Sequence, residues 1–218
     1  MVEAETKSKP EAKVIREEEI PHVLVPGEMR AVLELIVKDK DGKVTEKRVM
    51  KSESFVRQFM ELIFTTFTSN WTSNRYPIRD TGNVVRNTYK HADLLQCDAG
   101  AGVVTNGVVV GTGTVAPTID DYALGAIIAH GTGAGQLQYS AMTFGAPASD
   151  ATTSQFTLTR DFANGSGGAI TVNEIGLFSR AYDGANQYFM TIRDVIAGGI
   201  SVPNGQTLTV NYRIQAVV

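Results

Sequence analysis

One predicted β-hairpin near the C-terminus constrains the fold of this chain more than any other stretch of its sequence. Residues 171–180 and 188–194 are rich in β-branched, aliphatic and aromatic residues, and residues 181–186 between them are rich in turn formers. Two such runs around a short turn are typical of antiparallel strands. We therefore predict a two-stranded unit whose register decides which side chains face the core.

The register of this hairpin predicts an ion pair. We expect the turn to be centred between Asp183 and Gly184, and this register sets Glu174 opposite Arg193. Opposite charges on facing strands attract, so we interpret the two residues as a structural ion pair and not as catalytic groups. An exposed pair of this kind contributes about 0.2–1 kcal/mol. A pair covered by a neighbouring subunit would serve to orient the strands.

The same register places Phe178 opposite Phe189. We predict that this aromatic pair is exposed on the isolated chain, as a candidate contact with a neighbouring subunit or with the helix described below. Further candidates for contact between subunits are the apolar residues of a short segment near the N-terminus: Ile20, Val23, Leu24 and Val25.

The rest of the C-terminal half has the pattern of further strands. Apolar residues alternate along residues 137–141, 156–162 and 207–215, and turn-forming segments separate these runs without intervening helices. This spacing is typical of an antiparallel β-sandwich or barrel. We therefore expect a mainly β protein in which residues 107–218 form an antiparallel β-sandwich or a barrel-like domain.

A second hairpin is predicted near the N-terminus. Residues 30–38 and 43–50 flank the sequence Asp-Lys-Asp-Gly at residues 39–42, and Asp-Gly between two β-rich runs is a strong hairpin signal. The second strand carries many charges on one side, which predicts an edge strand. We assign this hairpin, one helix and long loops to residues 28–106, and expect them to form a small α+β layer against the C-terminal sheet.

The one predicted helix spans residues 52–67 and carries a broad apolar stripe. Ser52 is expected to be its N-cap. Four phenylalanines on one face would also suit a groove for a ligand or a partner, but packing against a sheet is the commoner reason for such a stripe, and we predict that packing. The apolar residues at helical spacing are Phe55, Val56, Phe59, Met60, Ile63, Phe64 and Phe67.

The first 27 residues are expected to lie outside the folded domain. Residues 1–19 are mostly charged and contain few large apolar residues, which predicts a disordered tail. Residues 20–27 are apolar and end in Pro-Gly, which predicts an extended arm; a first strand of the domain is the alternative. The sequence contains no readable signal peptide or membrane-spanning run, so we expect a protein made in the cytoplasm with no membrane partner.

Charge is distributed unevenly along the chain. Residues 1–60 hold 12 basic and 12 acidic residues, whereas residues 100–218 hold 11 charged residues and no lysine. Ordinary domains are roughly one-quarter charged, and an independent domain keeps those charges on its surface for solubility. We therefore expect much of the surface of the C-terminal half to meet other subunits; a neutral, polar monomer is the alternative.

The residues with reactive side chains form no catalytic, metal or cofactor motif. The single cysteine, Cys97, permits neither an internal disulfide nor a cysteine-based zinc cluster. The sequence Gly-Thr-Gly at residues 111–113 lacks the other residues of a nucleotide-binding loop. Basic residues near Trp71 are balanced by acids, so we predict no nucleic-acid partner. We expect a protein that is not an enzyme and has no cofactor. Three histidines stand apart without metal-ligand spacing: His22, His91 and His130.

Four segments together resemble structural proteins of tailed bacterial or archaeal viruses. They are residues 107–124 (Gly-Val-Val-Val-Gly-Thr-Gly through Asp-Tyr-Ala-Leu), the strand Glu-Ile-Gly-Leu at residues 174–177, Arg193, and the closing strand at residues 202–214. The resemblance covers about residues 107–217 and recurs in capsid-decorating, neck and tail proteins. It implies a symmetric, β-rich part of a virion.

The resemblance and the charge pattern lead to one expected function. We predict a non-enzymatic virion structural protein, a symmetric homo-oligomeric accessory subunit of a viral capsid, neck or tail. Its partners would be further copies of itself and other virion proteins, and its location the virion. The alternative is a receptor- or glycan-binding β-sandwich module of a viral fibre, in which Trp71 and tyrosine side chains would stack on sugars.

Overall fold

The structure, a computed structural model, describes residues 27–52, 55–68 and 75–217. Within these ranges the chain is mainly β with one helix, as predicted. The elements in chain order are β1 (Met29–Lys38), β2 (Val44–Lys51), α1 (Arg57–Thr68), β3 (Tyr76–Arg79), β4 (Val85–Thr88), β5 (Gly107–Gly111), β6 (Gln138–Tyr139), β7 (Thr143–Phe144), β8 (Ala148–Ser149), β9 (Thr153–Ala163), β10 (Ile170–Tyr182), β11 (Asn186–Val202) and β12 (Thr207–Val217).

The larger sheet, sheet A, joins the two ends of the described chain. Its strands run in the order β2-β1-β12-β9-β6, and β7 and β8 also pair with β9. β1 pairs antiparallel with β12 along its whole length, from Met29 opposite Ala216 to Lys38 opposite Thr207. The N-terminal hairpin is therefore continuous with the C-terminal strand in one sheet and does not form a layer of its own.

The smaller sheet, sheet B, contains β11, β10 and β5 in that order. One core lies between the two sheets, and it includes Leu33 and Tyr212 from sheet A together with Val109 and Ile175 from sheet B. The prediction of an antiparallel, sandwich-like fold is confirmed, and the described strands do not close into a barrel.

The N-terminal hairpin forms as its turn residues predict. Oδ1 of Asp39 accepts hydrogen bonds from the backbone amides of Asp41 and Lys43, at 3.0 and 2.9 Å. Gly42 has a φ of 79°, a left-handed conformation that glycine adopts without the steric cost of a Cβ. β2 lies at the edge of sheet A, so the predicted edge strand is confirmed.

The C-terminal hairpin β10–β11 forms, but its predicted register is wrong. The turn contains the three residues 183–185, and so the pairing at its tip is already displaced. Thr191 then bulges out of the ladder and shifts the pairing by one more residue. As a result Glu174 lies opposite Val195, two positions along the strand from Arg193.

Helix α1 begins at Arg57, later than predicted, and Ser52 is not its N-cap. The hydroxyl of Ser52 donates a hydrogen bond to Oδ2 of Asp194 at 2.8 Å instead. Leu62 of the helix packs with Phe189 in a second, smaller apolar cluster. Because neighbouring residues of a strand point to opposite faces, and Met190 belongs to the main core, this cluster lies on the outer face of sheet B.

The predicted packing of the apolar stripe is confirmed at its start, where Val56 is buried in the main core and Phe55 packs against that core, and is wrong for the later part of the stripe. Met60, Phe64 and Phe67 are 58%, 49% and 85% exposed. Hydrogen bonds before the helix, such as that from the Val56 amide to the Thr191 carbonyl at 3.1 Å, fix which side of the helix meets β11. The side that meets the sheet buries Gln58, Leu62 and Thr65.

Helix α1, the helix of the described residues, is neither long nor apolar enough to cross a membrane.

Two substitutions on α1 test the orientation of the helix. Replacing the buried Leu62 by alanine should lower the free energy of unfolding by about 2–5 kcal/mol, because it leaves a cavity. Replacing the exposed Phe67 by alanine should change that free energy by less than about 0.5 kcal/mol. Urea denaturation at low protein concentration measures both values, and a large loss for Phe67→Ala would contradict the outward orientation.

Candidate functional site

Glu174 of β10 is the centre of a buried polar network, and its side chain has no solvent exposure. Its Oε1 accepts hydrogen bonds from the backbone amides of Gly113 and Ala126, at 3.0 and 2.9 Å. Its Oε2 accepts one from the amide of Gly125 at 3.1 Å. Hydrogen bonds to a charged group contribute about 1.5–3 kcal/mol each. One side chain therefore fixes two separate points, Gly113 and residues 125–126, of the segment that follows β5.

Arg193 of β11 binds the same carboxylate. Its Nη2 and Nε donate to Oε2 of Glu174, at 2.9 and 3.2 Å. Its Nη1 lies 2.7 Å from Oδ2 of Asp121, and Nη2 also donates to the carbonyl oxygen of Val115 at 3.0 Å. Long side chains two positions away from the directly opposite residue can still meet across a sheet. The ion pair between Glu174 and Arg193 thus forms by a diagonal contact, and loops of the same chain cover it.

The charged groups of this network stabilise one another. Burial alone would lower the pKa of Arg193, but hydrogen bonds and the charges of Glu174 and Asp121 raise it above its usual value. Partial burial would raise the pKa of Asp121, yet hydrogen bonds from Thr118 and Arg193 lower it below its usual value. Both shifts favour the charged forms of Arg193 and Asp121.

The glycines at residues 111 and 113 are explained by packing around this network. A Cβ atom at Gly113 would overlap Oε1 of Glu174, and a Cβ atom at Gly111 would lie 2.5 Å from the carbonyl oxygen of Ala126. Only glycine allows the backbone to approach so closely. The segment that superficially resembles a phosphate loop is therefore shaped to fit a carboxylate of its own chain.

The geometry suits a structural role for Glu174 better than a role as a catalytic acid or base. Five hydrogen bonds from backbone amides and Arg193 reach the two oxygens of Glu174. A carboxylate offers about four lone-pair positions, so these bonds leave no position open to a substrate. Asp121 is held in a similar way, since the amide and hydroxyl of Thr118 donate to it at 2.9 Å each.

Asp194, next to Arg193 on β11, connects the two sheets. Its Oδ2 accepts hydrogen bonds from the hydroxyls of Ser52 and Tyr212, at 2.8 and 2.7 Å. Burial and the charge of Asp194 raise the pKa of Tyr212 well above its usual value, so the hydroxyl keeps its proton. Arg193 thus reaches the loops after β5, and Asp194 reaches β12 of sheet A.

Arg160 of β9 is a fully buried charge whose role sequence reasoning missed. The Arg160 guanidinium lies 4.9 Å from the ring centroid of Tyr139, and burial lowers the pKa of Arg160 to about 10. The signal in the sequence was a basic residue on the apolar side of an alternating run, between Leu158 and Phe162. The Arg160 guanidinium donates hydrogen bonds of 2.6–3.3 Å to the carbonyl oxygens of five residues: Gly100, Val103, Asn106, Val108 and Ser140.

The prediction that Phe178 and Phe189 form an exposed pair is wrong. Phe178 is 2% exposed and belongs to the core between the sheets. Phe189 is fully buried and packs against Leu62 of α1, which is the helix contact predicted as the alternative. The three-residue turn sets Phe178 opposite Met190 and Ser179 opposite Phe189, so the two rings point to opposite faces of sheet B. The other predicted interface residues, Ile20, Val23, Leu24 and Val25, lie outside the described residues.

The remaining residues that the sequence offered for catalysis or binding do not form a common site among the described residues. Cys97 is buried with its Sγ 3.3 Å from Oγ of Ser179, and burial raises the pKa of its thiol to about 11. Within residues 27–52, 55–68 and 75–217, no group of three or more potential ligands could hold a metal ion. His22 and Trp71 lie outside these ranges. Two of the basic residues that follow Trp71 in the sequence are paired with acids: Arg75 with Asp183 and Arg86 with Asp80.

A surface groove runs along α1, and we call it the α1 groove. It consists of two clefts of about 430 and 390 Å³ that share Arg57 and Glu61. The exposed residues Met60 and Phe64 of the stripe make the first cleft apolar, whereas the second cleft is mainly polar. The first cleft is also lined by Met60, Phe64, Tyr76 and Ile119, and the second by Gln58, Arg79 and Asp120.

Comparison of the chain with known protein families, with curated proteins and with solved structures gave no match.

Glu174→Gln tests the importance of the network for stability. The substitution keeps the shape of the side chain but leaves the buried Arg193 without its main counter-charge. We expect the free energy of unfolding to fall by about 3–5 kcal/mol. The same change at Glu46, whose partly exposed side chain pairs with Arg48, should cost less than about 1 kcal/mol. Urea denaturation measures both, and equal losses would contradict a special role for Glu174.

Proposed function

We propose that this chain is a non-enzymatic structural subunit of a virus particle, an accessory subunit of the capsid, neck or tail that forms symmetric homo-oligomers. The observation that carries the proposal is the position of the residues behind the viral resemblance. Gly113, Asp121, Glu174 and Arg193 are distant in the sequence and meet in one buried network. Motif residues that hold a fold together suit a protein whose role depends on its shape.

The charge distribution supports a role in assembly. Residues 100–218 contain 11 charged residues, and four of these are buried: Arg160, Glu174, Arg193 and Asp194. Few charges are left for the surface of this half, whereas independent soluble domains carry charge on roughly 25–35% of their surface residues. A surface of this composition suits burial against other subunits.

Exposed apolar side chains beside the network support the same role. Val115 and Ile119 are 74% and 58% exposed, and both lie in the segment that Glu174 and Arg193 hold in place. Ile119 adjoins Phe64 in the α1 groove, so the loop and the helix form one apolar surface. Contiguous apolar surface of this kind is typical of contacts between proteins.

The partners in this role are further copies of the chain and other virion proteins, and the location is the virion. The buried network then acts indirectly, because it sets the position of the surface that meets a partner. An accessory subunit needs such a fixed surface, since symmetric contacts repeat the same patch on every copy.

The oligomeric state of the full-length chain tests this proposal. We expect a single oligomer at micromolar concentration, measured by light scattering after size-exclusion chromatography, with rotational symmetry visible by cryo-electron microscopy. Ile119→Asp should dissociate it by placing a charge in the contact surface. Val44→Asp, an equally drastic change at a 42% exposed position on edge strand β2, should leave it intact.

A chain that stays monomeric at every concentration and associates with no virus particle would contradict the proposed function. Specific binding to a glycan by such a monomer would favour a fibre module instead.

A further inference from the structure

The outer face of sheet A, which is turned away from sheet B, is buried at one end. Side chains alternate between the two faces of a strand. Leu33 of β1 and Tyr212 of β12 point into the core, so alternate residues of these strands point outwards. We call the buried end of the outer face the outer patch. It consists of four side chains that are each between 2% and 9% exposed: Arg30, Val32, Gln215 and Val217.

The apolar residues of the outer patch lack apolar neighbours among the described residues. Neither valine belongs to one of the two apolar clusters of the described ranges. Val32 lies opposite Lys51 and Arg213 in the sheet. Val217 lies opposite Thr153. A fully buried apolar side chain normally touches several other residues, so the outer patch needs a cover from outside the described ranges.

The opposite face of sheet A is more open at the same end. Met29 and Phe156 point towards the side of sheet B, yet they are 45% and 41% exposed. In a sandwich of two sheets the inner faces form the core and the outer faces meet solvent. The outer patch reverses this order, and a further segment of chain that lies on it would explain the reversal.

The N-terminal residues join the structure beside the outer patch. The backbone amide of Gly27 donates a hydrogen bond to the carbonyl oxygen of Val217 at 2.8 Å. Gly27 has a φ of 82°, a left-handed conformation that breaks the extended path of β1. Residues 1–26 therefore enter the structure at a turn next to one member of the patch.

The other ranges that the structure does not describe are attached elsewhere. Ser52, which precedes residues 53–54, donates a hydrogen bond to Asp194 of sheet B. Helix α1 and strand β3, on either side of residues 69–74, share an apolar cluster with strands of sheet B. Residue 218 is too short to cover four side chains. The N-terminal range is thus the best candidate for the cover.

Residues 20–25 have the length and the composition for this role. Val32, the far end of the outer patch, is five residues from Gly27, or about 17 Å along a strand at about 3.4 Å per residue. The seven residues 20–26 extend over at most about 23–25 Å, so a segment that folds back at Gly27 spans the patch. Its aliphatic residues are Ile20, Val23, Leu24 and Val25.

We propose that residues 20–25 fold back at Gly27 and dock on the outer patch of their own chain. They would supply the apolar neighbours that Val32 and Val217 lack among the described residues. A short linker gives a millimolar effective concentration, which favours docking within one copy over docking on a neighbour at micromolar concentration. The inference replaces the contact between subunits that the sequence predicts for this segment, and it does not depend on the proposed role in assembly.

Chemical crosslinking within full-length double variants tests the proposal. One variant carries Leu24→Cys and Gln155→Cys, the other Leu24→Cys and Phe156→Cys, and a short bismaleimide joins the two thiols. Gln155 lies opposite Gln215 on the outer face, and its neighbour Phe156 points to the other face. Docking should raise the yield of crosslink within one chain about tenfold for the Gln155→Cys variant. Cys97 is buried and its thiol pKa is about 11, so it does not compete.

Equal yields for the two variants at high dilution would overturn docking on the outer patch. A crosslink that forms only between chains would overturn docking within one copy.

A second measurement needs no new cysteine. Leu24→Asp places a charge in the docked segment and should lower the urea concentration at the midpoint of unfolding, because a buried charge is costly. Val2→Asp, an equal change outside the segment, should leave that midpoint unchanged. Equal midpoints for Leu24→Asp and the parent chain would overturn the inference. The measurement uses a concentration at which the chain is monomeric, so its failure leaves the proposed function untouched.

Discussion

The buried carboxylate of Glu174 is the interaction on which the rest of this structure depends. Removing a carboxylate from water costs several kcal/mol unless partners neutralise it and fill its lone pairs. Here Arg193 supplies the counter-charge, and the amides of Gly113, Gly125 and Ala126 supply donors. Satisfying one side chain therefore dictates the path of the long irregular segment between β5 and β6, including the exposed residues that we assign to a contact surface.

Strands β10 and β11 contact sheet A, helix α1 and the loops after β5, and so connect these parts of the structure. Consecutive residues of β11 reach in different directions: Arg193 binds the loop at Asp121 and Val115, and Asp194 binds Tyr212 of sheet A. Phe189, closer to the turn, packs under α1. Strands that hold the loops and the helix in fixed positions suit a subunit that must present the same loops and helix face in every copy of an assembly.

The sequence predicted the classes of element well and their mutual orientation poorly. Turn residues determined the first hairpin locally, which is why its prediction succeeded. The register of β10–β11 depends on a bulge at Thr191, whose hydroxyl donates to the carbonyl of Leu177, and no local pattern marks that contact. The helical period of α1 was visible, but periodicity does not say which face meets the sheet, and the side with Gln58 is buried instead of the side with Phe67. Glu174 and Arg193 could be paired from the sequence because strand alternation keeps residues two apart on one face. Their amide partners could not, since those come from a distant loop.

Amide hydrogen exchange of the native chain tests the central claim most directly. If the Glu174 carboxylate holds the loops, the amides of Gly113 and Ala126 should exchange as slowly as those of core strand β10, because both require opening of the buried network. The amide of Gly135, in an exposed turn of the same segment, provides the reference for fast exchange. Exchange of Gly113 and Ala126 at the rate of Gly135 would contradict the account.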